Sequence, residues 1–152
     1  MFWGIASAVV ALDQITKQLA ESSMELNQTI PLIRGMLGLT YIHNYGAAFS
    51  ILQNQRVFLI SFTGLAMIAI IIYVLKEQKK IPGAEKAALA LIVGGGLGNL
   101  IDRVMNGYVI DFINIYILPV FNVADMSVCA GSALLIYSVV VLEPRLRKDR
   151  PK

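Results

Sequence analysis

The sequence predicts a mainly α-helical membrane protein, with four transmembrane helices and a small outward-facing β element resting on their extracytoplasmic ends. Three observations predict it. The 152 residues are 57% hydrophobic and only 15% charged, with mean hydropathy +0.67, where a soluble domain of this length carries more charge. Four stretches, at about 2–19, 57–75, 87–103 and 125–142, are poor in charge, and each is near the length of helix that crosses ~30 Å of hydrocarbon. Between them lie short runs of β-branched and aromatic residues with the patterning of strands. No linker, low-complexity stretch or internal repeat divides the chain, so 1–152 reads as a single integral membrane domain.

The first span is interrupted by Asp13 and Lys17. It lacks the basic leader of a cleaved signal peptide, and Asp13 falls where the apolar core of one should continue, so it reads as a retained helix. Asp13 and Lys17 stand four apart, acid first, the favourable order for an ion pair on one helix face. Lys17 is expected to snorkel toward the interface. After this span, Leu37, Leu39 and Tyr41 alternate with Gly38, Thr40 and Ile42, in a stretch beginning at Thr29, as a strand would. The second span, Val57 to Leu75, is wholly uncharged. A turn at Pro82-Gly83 follows.

The third span carries Gly94, Gly95, Gly96 and Gly98. Gly94 and Gly98 have the spacing that lets membrane helices approach closely. Tyr108 to Ile117, rich in Val, Ile, Tyr and Phe, adds to the β element. The fourth span opens at Asp125 and contains the only cysteine, Cys129, which suits a small packing role. The lone His43 has no second His or Cys with which to build a metal site.

Charge sets the orientation. Lys76, Lys79, Lys80 and Lys86 between spans two and three, and Arg145, Arg147, Lys148, Arg150 and Lys152 after span four, are nine of the thirteen basic residues. They fall on one side of four alternating spans. The positive-inside rule places that side, and both termini, in the cytoplasm. The outer segments then carry a group of polar residues at the membrane rim, where an ionisable residue is a functional candidate.

Asp111 has apolar neighbours, Val109, Ile110, Phe112 and Ile113; burial should raise its pKa, and a second carboxylate should raise it further. Asp125 lies near a helix N-terminus, where the macrodipole favours its charged form. Two carboxylates in unlike environments, able to share one proton, suit aspartic proteolysis. Asn122, three residues before Asp125, can cap the helix or hydrogen-bond a substrate backbone. Asn99 and Arg103 share a helix face. Arg103 can pair with a carboxylate or hold carbonyl groups. Asp102, beside it, reads as a structural acid kept ionised by a local or cross-helix ion pair. Asn44 offers donor and acceptor groups, and Gly46 permits close backbone approach.

Taken in order, five blocks resemble the signal peptidase II (prolipoprotein signal peptidase) family over nearly the whole chain. They are Asp13–Lys17, Asn44 to Ser50, Gly95 to Arg103, Val109 to Phe112, and Phe121 to Asp125. Each block alone is weak; five in order within a four-span frame are specific. The resemblance implies an aspartic endopeptidase of the bacterial inner membrane with an outward-facing β cradle. It would cut the signal peptide from a diacylglyceryl-modified precursor just before the lipid-bearing cysteine. It places the catalytic dyad on Asp111 and Asp125 and substrate-holding or supporting roles on Asn44, Gly46, Asn99, Arg103 and Asn122. Asp13, Lys17 and Asp102 become structural polar residues. It implies prolipoproteins and membrane lipids as partners and peptide antibiotics such as globomycin as inhibitors, with no metal, cofactor or nucleic acid. The chain departs from the family pattern in a short stretch from Ile113 to Val120 and in Asn114, where an acid is often expected. Two other readings of the residues are a small proton- or ion-coupled transporter using intramembrane acids, and a membrane scaffold packing through the glycine-rich span.

Overall fold

A computed structural model describes residues 1–46 and 52–142. Ala47 to Ser50 of the second sequence block, and the basic tail from Arg145 to Lys152, lie outside the described residues. The elements run α1 (Phe2–Ser23), β1 (Thr29–Ile33), β2 (Leu37–Asn44), α2 (Arg56–Glu77), α3 (Gly83–Met105), β3 (Val109–Asn114) and α4 (Val123–Tyr137). A π-helical turn, Ser138–Leu142, extends α4. The protein is thus mainly helical with one small sheet. Three of its helices are long and apolar enough to cross a membrane: Arg56–Glu77, Gly83–Met105 and Val123–Leu142.

Helix α3 is the hub, packed against α1, α2 and α4. Its glycines make that possible. A Cβ on Gly94 would lie 2.8 Å from the Val9 Cβ of α1, and one on Gly96 would lie 2.9 Å from the Met67 Cε of α2. One on Gly95 would strike the Ala124 carbonyl of α4. Consecutive positions on one helix point about 100° apart, so three adjacent glycines admit three different neighbours.

The buried residues of α1, Phe2, Ala6, Val9, Asp13, Lys17 and Ala20, recur every three or four positions and so form one stripe. Trp3, Leu12, Ile15 and Leu19 on the other faces are exposed. Helix α2 is apolar outward as well: Phe58, Phe62, Leu65, Ile68, Ile72 and Leu75 are exposed, while Leu59, Met67 and Val74 are buried. One apolar cluster joins Phe2 and Ala6 to Met67, Val74, Ile81, Leu89, Ala90 and Val93.

The strands form an antiparallel sheet in the order β1-β2-β3. The alternating stretch is therefore a hairpin of two strands, turned at Gly35, whose φ of 73° suits glycine. Ala20 and Met24, at the end of α1, pack with Tyr41, Ile110 and Phe112 of the sheet. Asp111, between Ile110 and Phe112, points to the opposite face by the period of a strand. The register pairs Ile42 with Asp111 and Asn44 with Val109.

Candidate active site

The site forms where β3, the end of α3 and the start of α4 meet. Asp111 comes from β3 and is almost wholly buried. Asn122 caps α4: its side-chain oxygen accepts from the Asp125 N–H at 2.9 Å, and its own N–H donates to Asp125 Oδ2 at 3.3 Å. This reciprocal capping box fixes Asp125 in the first turn of α4. The Asn122 amide also donates to Asp111 Oδ1 at 2.7 Å. One fully buried side chain therefore bridges the two acids, and capping and ligand-holding turn out to be a single arrangement. On the far sides, Asn44 Nδ2 donates to Asp111 Oδ2 at 3.0 Å, and Asn99 Nδ2 donates to Asp125 Oδ1 at 2.8 Å.

These hydrogen bonds all favour the charged carboxylates, yet Asp111 is pushed up to about 7. Burial is the larger cause and the negative charge of Asp125 the second; Asn44, Asn122 and Lys17 oppose them. The sequence expectation for Asp111 rested on the same two causes.

Lys17 departs from expectation. It does not snorkel outward; only 1% of it is exposed, and it points into the bundle. It pairs with Asp13 at 2.8 Å and Asp102 at 2.9 Å, and donates to Asn99 Oδ1 at 2.9 Å. An ammonium with two carboxylates and an amide oxygen has less reason to seek water. Asp102 consequently finds its ion-pair partner across helices in Lys17, not in neighbouring Arg103. Arg103 donates to the Gly46 carbonyl at 2.8 Å and, at 3.5 Å, to the Asn99 carbonyl. Cys129 also departs from expectation: it is exposed on α4, not packed inside.

Two contributors lacked a clear signal in the sequence. Gln14 donates to Asp102 Oδ1 at 2.9 Å and to the Gly98 carbonyl at 3.2 Å. Arg56, at the start of α2, donates to the carbonyls of Arg103 and Val104 at 2.8 and 2.9 Å, satisfying the end of α3. Its signal was a lone cation on the outer side of a span, where the positive-inside bias disfavours one. His43 lies on the other face of β2 from Asn44 by strand alternation. It stacks on Tyr108 at 3.7 Å and meets the Tyr41 hydroxyl at 2.8 Å, and burial lowers its pKa. Among the described residues, no group of three or more His, Cys, Asp or Glu side chains is placed to hold a metal ion.

Two acids joined by one amide, with unlike burial and little other charge, can activate a water and protonate a leaving group. Comparisons with known proteins agree with that chemistry. Residues 5–141 match the family model for signal peptidase (SPase) II. The lipoprotein signal peptidase of Brevibacillus brevis is 44% identical over 140 residues, covering 91% of this chain and 93% of that protein. The lipoprotein signal peptidase of Halalkalibacterium halodurans is 39% identical, covering 99% and 98%. A bacterial membrane enzyme solved by the in meso method at 2.3 Å superposes with a TM-score of 0.88 at 32% identity, over 99% of this chain and 92% of the other.

Proposed function

The chain belongs to the signal peptidase II family, and we propose that it cleaves signal peptides from diacylglyceryl-modified prolipoproteins, just N-terminal to the lipid-bearing cysteine, by aspartic chemistry. The observation that carries the mechanism is the bridge made by Asn122, whose amide holds Asp111 while its oxygen and backbone hold Asp125.

In this reading Asp111 and Asp125 share one proton. The ionised member takes a proton from water as the water attacks the scissile carbonyl. The protonated member polarises that carbonyl and then gives its proton to the leaving amine. General acid–base help of this kind contributes ~10²–10⁴ in rate. Asn44 and Asn99 keep the outer carboxylate oxygens oriented. Arg103, held on the Gly46 carbonyl, and the Asn44–Gly46 turn, closed by the Gly46 N–H donating to Asn44 Oδ1 at 2.9 Å, flank the acids on the side where a substrate backbone would run. A peptide antibiotic such as globomycin would compete for the same groups.

Helix α1 serves as the fourth span of a single membrane domain in the bacterial inner membrane, with both termini cytoplasmic and the site on the outer side. Its two central charges neutralise one another against α3, and its outward residues are apolar. Substrate lipid tails would lie in the bilayer beside the helices, as would the membrane lipids.

The test is a gel shift with purified protein and a diacylglyceryl-modified precursor. Wild type cleaves; Asp111→Asn and Asp125→Asn bind the precursor without turnover. Normal cutting by Asp111→Asn would sink the dyad, and no cutting by wild type would sink the substrate.

A further inference from the structure

Lys17 lies between two carboxylates, and each has a second hydrogen bond. Asp13 Oδ1 accepts the Ala124 N–H at 2.9 Å. Asp102 Oδ2 accepts the Ile110 N–H at 3.1 Å while also meeting Lys17. Ala124 immediately precedes Asp125, and Ile110 immediately precedes Asp111. We infer that Asp13, Lys17 and Asp102 form a positioning clamp that sets the spacing of the two dyad carboxylates by holding the peptide N–H before each of them. The inference rests on the dyad assignment proposed above.

The clamp gathers its parts from α1 and α3 and acts on α4 and β3, so one ammonium registers four elements. All three side chains are buried, which removes the water that would otherwise compete for these bonds. None of the three is hydrogen-bonded to Asp111 or Asp125 themselves. Their reach is through the backbone, and through Asn99, which takes Lys17 on its oxygen and gives its amide to Asp125.

The geometry makes the two arms unequal toward amide substitution. In Asp102→Asn, one carbonyl oxygen can still serve both Lys17 and the Ile110 N–H, while the new NH2 replaces Oδ1. There it faces Gln14, whose carboxamide can turn to accept it. In Asp13→Asn the two oxygens have different donors: Oδ1 has Ala124 N–H, and Oδ2 has Lys17 at 2.8 Å and Gln14 at 3.3 Å. Whichever way the amide is turned, its NH2 meets a donor. Asp102→Leu removes the acceptor outright at similar bulk.

The experiment measures kcat and KM on the lipidated precursor for wild type, Asp102→Asn, Asp13→Asn and Asp102→Leu, with helical circular dichroism of each. Misplacement of catalytic groups by an ångström costs on the order of 100-fold. Asp13→Asn and Asp102→Leu are expected to lose about that much in kcat, with KM within about threefold, while Asp102→Asn stays within about tenfold of wild type. A filler role for the triad predicts something else: kcat unchanged in all folded variants, or Asp102→Asn as damaged as Asp102→Leu. Either result overturns the clamp, as does a loss carried by KM. Should Asp102→Leu fail to fold, Asp13→Asn against Asp102→Asn decides, and equal kcat values overturn it. Wild type that does not cut indicts the substrate assignment, and full activity in Asp111→Asn indicts the dyad. Both are separable from failure of the clamp.

Discussion

At Asp111 one carboxylate is asked to keep a proton that an ordinary aspartate loses near 3.8, and it holds it to about 7. Two measurable consequences follow from the sign of that shift. Because aspartic chemistry needs the pair singly protonated, cleavage should fall as pH rises through about 7, read as the alkaline limb of kcat against pH. A limb that stays flat to pH 9 would remove the proton from the mechanism. Stability follows the same proton. The folded state holds it across a range where the unfolded chain has released it, so this contribution is complete below the unfolded value and is lost as pH rises toward about 7. Asp111→Asn cannot titrate. Its melting temperature in detergent should therefore gain on wild type between pH 5 and pH 8, whatever the offset at either end. A gap that is constant or shrinks over that range would show that burial of the charge is not costing the native state.

Between elements, the decisive contacts are the glycines of α3. A Cβ at Gly95 has the Ala124 carbonyl and Val128 Cγ2 in its way, the latter at 2.8 Å. Backbone cannot swing aside as a flexible side chain can, so Gly95→Ala must push α4 from α3, and Asp125 moves with α4. Overpacking of this kind costs ~1–3 kcal/mol, and activity should drop with the melting temperature. Gly64→Ala, in the middle of α2, meets nothing within 4 Å and should instead stabilise by ~0.5–1 kcal/mol through helix propensity. If the two behave alike, the close approach is not what the glycines are for.

The same elements show what the sequence made legible. Charge-free runs revealed α2, α3 and α4 because lipid-facing residues must be apolar whatever the neighbours. Gly94 and Gly98 announced close packing, and Gly98 does face α1, where a Cβ would meet Asp13 Oδ2 at 2.5 Å. The inward turn of Lys17 was not legible, because its second carboxylate, Asp102, lies 85 residues away in sequence. Gln14 was hidden for the same reason: its partners come from α3. Cys129 was misjudged since a membrane helix can be equally apolar on its packed and exposed faces, so composition does not say which way a residue points.

For the molecule as a whole, polarity is inverted relative to a water-soluble fold. Asp13, Lys17, Asp102, Asp111 and Asn122 are buried, while Phe58, Phe62, Leu65 and Ile136 are exposed. Such an exterior suits hydrocarbon, and the four-span reading states how it is threaded. Helix α1, at 22 residues, spans about 33 Å at 1.5 Å per residue, enough to cross. If it crosses, its N-terminal end shares a side with the lysine-rich α2–α3 turn, and the β1–β2 turn lies opposite. Single cysteines in a Cys129→Ser background test this directly. Met36→Cys, in the exposed β1–β2 turn, should react with a membrane-impermeant maleimide on intact cells. Gln78→Cys, beyond α2, and Gly4→Cys, near the start of α1 where no heavy atom lies within 4 Å of a Cβ, should react only after permeabilisation. Labelling of Gln78→Cys from outside would invert the topology and place the acids in the cytoplasm, where exported precursors could not present a cleavage site from the outer leaflet. Labelling of Gly4→Cys from outside, with Gln78→Cys protected, would leave the other three helices threaded as proposed but make α1 a surface helix. That outcome would be hard to reconcile with a stripe that buries Asp13 and Lys17 against α3 while turning Trp3, Leu12, Ile15 and Leu19 outward.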